Sequence, residues 1–135
     1  MNLIKYIDKV FKGGYDVIYI MVDIHNTILK PSFNSEEKYE YFPYSKEVLS
    51  LLSSRSNVRL ILWTSSFKDK IQQYLDNFSK NRIFFDYVNE NPEYENTLTP
   101  FACFDDKFYY DIGIDDKFGF DAETDWKEIY NYLTK

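Results

Sequence analysis

The chain has one cysteine, Cys103, and one histidine, His25, among 135 residues. A lone cysteine supports no disulfide framework and no cysteine-rich zinc site. With four glycines and four prolines, there is no linker, low-complexity tract or composition break, so one domain over residues 1–135 is expected. Apolar runs are short as well, and none approaches the ~20 residues of a membrane-spanning helix. The first run, 17–22, follows Gly13-Gly14 and is too short for the apolar core of a secretory signal. A soluble cytoplasmic protein is expected, with no membrane partner. Positive charge is in deficit: the net charge of -6 argues against long nucleic acid as a ligand, though not against a small phosphorylated one.

Aromatic residues, by contrast, are abundant. The 13 Tyr and 12 Phe, within 44% hydrophobic residues, predict a folded chain with a single well-buried core.

Residues 3–11 carry apolar side chains near helical spacing, and Gly13-Gly14 provides a stop. Two continuous apolar runs, VIYIMV (17–22) and VRLILW (58–63), read as strands buried on both faces of a parallel sheet. Pro43 is placed to open a helix through Glu47, Val48, Leu51 and Leu52. Residues 67–78 form an amphipathic pattern, with Ile71, Tyr74, Leu75 and Phe78 on one face. A weaker strand is expected at 83–88, loop at 89–100, a last strand at 109–114 and a last helix at 124–133. This alternation predicts an α/β, three-layer Rossmann-like domain with a mostly parallel central sheet.

The tetrapeptide DDKF occurs twice, at 105–108 and 115–118. Neighbouring carboxylates repel unless a cation sits between them. Ligands of open parallel sheets gather beyond the carboxyl ends of the strands, where Asp115-Asp116 are expected and Asp105-Asp106 are not. Asp23 would stand at the tip of the first strand, with His25 and Thr27 two and four residues on, and Thr64 at the tip of the second. Asp23, Asp115 and Asp116 could hold a hard divalent cation such as magnesium. Asp23 could attack phosphorus as a carboxylate nucleophile, while Thr64 and backbone amides at Ser65 and near Ile24 bind phosphate oxygens. A lysine is needed to screen nucleophile from phosphate. Lys107 is the first choice by sequence, although a continuous strand over 108–114 would put it at the wrong end; Lys80 and Lys117 are the alternatives.

This pattern resembles the haloacid dehalogenase superfamily of phosphatases over about residues 16–121. VIYIMVDIHNTI is similar to its first motif, an apolar strand ending D-x-D-x-T. LILWT is similar to the second, Lys107 to the third-motif lysine, and DIGIDD to the fourth. The short gap from Lys107 to Asp115 resembles that of 5'(3')-deoxyribonucleotidases. The resemblance implies Mg2+ as cofactor, a small phosphorylated substrate such as a nucleotide, and an aspartyl-phosphate on Asp23. Catalysis would fall to Asp23, His25, Thr64 and Lys107, and phosphate binding to Thr27 and Ser65. The metal would be held by Asp23, the His25 backbone carbonyl, Asp115 and Asp116. It also implies a flap after the first motif, here only 27–43: a small flap and no large cap domain. Tyr39, Tyr41, Phe42 and Tyr44 in it either pack on the domain or stack a base, and Glu36, Glu37 and Glu40 disfavour polyanions.

His25 departs from the pattern, standing where the superfamily has its second aspartate, the general acid and base. A backbone carbonyl survives that change, and an imidazole is able to exchange protons near neutrality. The alternative is a catalytically weak domain that binds a phosphorylated ligand or protein partner. A phospho-acceptor signalling domain ranks third, because its acidic pair would follow the first strand rather than the last. Asp121 reads equally well as a residue flanking the fourth motif or as a cap of the last helix.

Overall fold

The computed structural model describes residues 2–32, 37–94 and 108–135. Four strands, β1 (Ile18–Asp23), β2 (Val58–Trp63), β3 (Tyr87–Val88) and β4 (Ile112–Ile114), form one sheet in the order β3-β2-β1-β4. Every pairing is parallel. The two apolar runs therefore occupy the sheet centre, and their long ladder runs from Ile18 opposite Val58 to Asp23 opposite Trp63.

Four helices flank the sheet: α1 (Leu3–Phe11), α2 (Ser45–Ser53), α3 (Lys68–Lys80) and α4 (Asp125–Thr134). Asn2 starts α1 by accepting the amides of Ile4 and Lys5 at 2.8 and 3.3 Å, as an N-cap should. Alternate strand residues Ile18, Ile20, Val22, Leu60, Leu62, Ile112 and Ile114 share one core with Val48, Leu52, Phe78, Trp126 and Ile129 of the helices. The other face buries Tyr19, Met21 and Ile61. Tyr94 and Tyr109 lie on the connection from β3 to β4 and set their rings 5.3 and 5.9 Å from that of Tyr19. The result is the expected α/β, Rossmann-like layering, with a short excursion between Leu29 and Tyr41 in place of a large cap domain.

Three boundaries differ from the sequence reading. Pro43 does not begin α2: Tyr44 takes a left-handed φ of 67° and the helix starts at Ser45. The strand expected over 83–88 pairs only at Tyr87–Val88, and the one over 109–114 only at Ile112–Ile114. In both, an aspartate truncates the ladder by replacing a main-chain acceptor. The amides of Asp86 and Asp111 donate to the Leu60 and Tyr19 carbonyls, both at 2.8 Å. The amides of Leu60 and Tyr19 then donate back to the two side-chain carboxylates, again at 2.8 Å. Among the described residues, no helix is long and apolar enough to cross a membrane.

Candidate functional site

The ladder sets the site. Val22 pairs with Ile114, so Asp23 and Asp115, the next residues on two adjacent parallel strands, emerge together at the carboxyl edge. Asp115 is buried and anchored by accepting the Lys117 amide at 2.9 Å, which opens the 3-10 turn Asp116–Phe118. Asp23, Asp115 and Asp116 each bring a carboxylate oxygen within 4.8 Å of the others.

Thr27 ties the group together. It lies fully buried in a turn closed by the Ile24 carbonyl, which accepts the amides of Thr27, Ile28 and Leu29 at 3.3, 2.8 and 3.0 Å. Its hydroxyl accepts the Asp116 amide at 3.1 Å and stands 3.4 and 3.5 Å from oxygens of Asp23 and Asp116. Its carbonyl accepts the indole N–H of Trp126 at 2.7 Å, pinning the turn to α4.

Crowding shows in the electrostatics. Burial first, then the charges of Asp115 and Asp116, push the Asp23 carboxyl up to about 6, against the opposing Ile24 amide. Burial likewise raises Asp115, with Asp116 adding to the rise and the amide and charge of Lys117 opposing it. An uncompensated cluster of this kind favours protons, and it would equally favour a divalent cation.

Thr64 follows β2 directly, one residue beyond the level of Asp23. It is held by Asn89, which accepts its amide and donates to its carbonyl, both at 2.8 Å. Its hydroxyl pairs with that of Ser66 at 2.9 Å. Ser65 is exposed at the same edge. No hydrogen bond joins Thr64 to the carboxylates among the described residues. Lys107, with Cys103, Asp105 and Asp106, lies outside the described residues, as does Glu36. Of the alternative lysines, Lys117 is near enough to act on Asp115. Lys80 ends α3, which runs back from the carboxyl edge, so it sits at the far end of the sheet. Asp121 lies in the turn ahead of α4, where it accepts the Glu123 amide at 3.0 Å while Asp125 accepts its own at 2.7 Å; the N-cap of α4 is Thr124, which makes no side-chain capping bond.

The His25 ring engages α3. Its Nε2 lies 2.9 Å from the Tyr74 hydroxyl of α3. It lines a cleft of about 270 Å³ with Glu37, Tyr39, Lys70, Gln73 and Tyr74, among others. The amphipathic pattern of α3 assigned Tyr74 to the core, and nothing local in the sequence pairs it with His25. The returning flap adds Glu37 to this pair. The flap aromatics pack on the domain: Phe42 is buried, Tyr44 lies 5.1 Å from the Tyr130 ring, and Tyr39 lies 6.0 Å from that of Tyr74.

No family model matches the chain, and no curated protein does. Among solved structures, a conserved protein from Bacteroides thetaiotaomicron is similar in fold. Its TM-score is 0.63 at 24% sequence identity, over 87% of this chain and 89% of that one. At that identity the likeness speaks for the fold alone.

Proposed function

We propose that the chain is a magnesium-dependent phosphomonoester hydrolase of the haloacid dehalogenase type that works through an aspartyl-phosphate on Asp23. The observation that carries the reading is the meeting of Asp23, Asp115 and Asp116 within 4.8 Å at the carboxyl edge of a parallel sheet. Thr27 braces this cluster from below.

The donor set fits the ion. Three carboxylates are hard oxygen ligands of the kind magnesium prefers, and the raised affinity of Asp23 and Asp115 for protons is what a cation would relieve. Asp23, Asp115 and Asp116 would hold it, with the His25 carbonyl as a fourth oxygen. Once bound, it would neutralise the cluster and attract phosphate oxygens to it.

The chain's own groups then do the following. An Asp23 oxygen attacks phosphorus, forming the new O–P bond as the ester O–P bond breaks. His25, entering the step as the imidazolium, gives a proton to the departing oxygen, and the neutral ring that remains takes one from the water that hydrolyses the acyl phosphate. The Thr64 hydroxyl and the Ser65 amide hold phosphate oxygens. A lysine, Lys107 or Lys117, screens the approach. With no large cap the site is open, admitting a macromolecular phosphoester or a phosphoprotein as well as a small phosphomonoester; a nucleotide is the first candidate through the resemblance.

A second reading, a module that binds a phosphorylated ligand or protein without turnover, draws on one observation. The Nε2 of His25 is already engaged by Tyr74. Phosphate release from an aryl phosphate and a nucleoside monophosphate panel, with magnesium or chelator, separates the two. The hydrolase releases phosphate with magnesium and loses at least ~10⁴-fold in Asp23→Asn, as nucleophile removal typically costs. Stabilisation by ligand without phosphate release would favour the binding module.

A further inference from the structure

His25 heads a hydrogen-bonded chain whose other members, Tyr74 and Glu37, the mechanism above does not use. His25 Nε2 meets the Tyr74 hydroxyl at 2.9 Å, and that hydroxyl donates to Glu37 Oε2 at 3.1 Å. The other oxygen of Glu37 is separately occupied, accepting the Tyr39 amide at 2.9 Å and the Ser32 hydroxyl at 3.2 Å. Tyr74 is buried, its ring stacked 6.4 Å from Phe78 and edge-on to His25 at 5.5 Å. Burial and the nearby Glu37 push its phenol up to about 12, so it keeps its proton.

The direction of the chain follows from counting hydrogens. An ionised carboxylate only accepts, and a phenol has one hydrogen to give. Tyr74 gives it to Glu37, so its oxygen is an acceptor toward His25. Nε2 must then carry the imidazole hydrogen, and in the neutral ring Nδ1 is left as the basic nitrogen.

We infer that Glu37 and Tyr74 are positioning residues for His25, fixing its neutral ring as the Nε2–H tautomer and reserving Nδ1 for proton exchange with the leaving group. The role of Nδ1 rests on the phosphomonoesterase reading; the tautomer does not. A flap carboxylate and a helix phenol thus supply the orientation that an imidazole needs where the resembled motif has an aspartate.

The test exploits His25 being the only histidine, so its ring nitrogens are unambiguous in 15N NMR. Spectra are taken without substrate, with chelator, at a pH where the ring's own 15N shifts report it neutral. The wild type should show a protonated Nε2 and an unprotonated Nδ1. In Glu37→Gln, the Tyr39 amide and Ser32 hydroxyl claim the one amide oxygen. The amide nitrogen then donates to Tyr74, the phenol turns its hydrogen to Nε2, and the tautomer inverts to Nδ1–H. Tyr74→Phe keeps the ring packing and removes the link, giving a mixture.

Turnover of an aryl phosphate with magnesium should fall in kcat by ~10- to ~100-fold in Glu37→Gln, part of the ~10²–10⁴ a positioned proton donor supplies. KM should change little. The same tautomer in wild type and Glu37→Gln overturns the inference, as does inversion with unchanged kcat. A wild type without any turnover, but with the inverting tautomer, upholds the positioning and sinks the hydrolase reading alone.

Discussion

Three carboxylates within 4.8 Å set the behaviour of individual residues here. Asp23 holds its proton up to about 6, above its ordinary value of 3.8, so the folded chain binds that proton more tightly than the unfolded one. The associated stability is complete below the ordinary value and is lost as pH rises through about 6. In chelator, the wild-type Tm should therefore fall relative to Asp23→Asn between about pH 4 and pH 7, and magnesium should reverse the difference. A constant difference across that window would show that Asp23 is not crowded. Thr27→Val keeps the buried shape but leaves the Asp116 amide without its hydroxyl acceptor. It should cost about 1–2 kcal/mol in urea unfolding and weaken magnesium binding. The meeting of Asp23, Asp115 and Asp116 was readable because each ends or follows an apolar strand run. The surroundings of His25 were not, because Glu37 and Tyr74 reach it from 12 and 49 positions away.

At the scale of elements, the sequence pattern placed both central strands and all four helices to within a few residues, since burial on both faces leaves a continuous apolar run. The edge strands were overread. Their flanks, IFFD and YYD, have strand-like composition, but Asp86 and Asp111 take over the ladder with their side chains. An aspartate in a run of aromatics gives no local sign that it will stand in for a carbonyl. Asp111 is nearly buried at 9% exposure and also accepts the Tyr109 hydroxyl. Asp111→Ala should strand the Tyr19 amide at a cost of about 1–3 kcal/mol, with Asp111→Asn losing less because an acceptor remains. Equal losses by urea unfolding would mean that the carboxylate charge, not the acceptor, is what matters.

Across the whole molecule, the site is tied to its most distant element. The Trp126 indole, on the last helix, holds the carbonyl of Thr27, and Thr27 in turn holds Asp116. Ligand binding at the carboxylates should therefore stabilise the entire fold. At about 100 times its dissociation constant, magnesium should add about 2.7 kcal/mol, read as a rise in Tm that Asp23→Asn and Asp115→Asn both diminish. The most direct test of the central claim looks for the phosphoryl group on Asp23. Wild type and Asp23→Asn are mixed with magnesium and a hydrolysable aryl phosphate, quenched in acid within the first turnover, digested and analysed by mass spectrometry. The account predicts one added phosphoryl group on the peptide carrying Asp23, absent from the mutant and absent with chelator. Phosphate release by the wild type with no phosphoryl group on that peptide, or one on another residue, would contradict it.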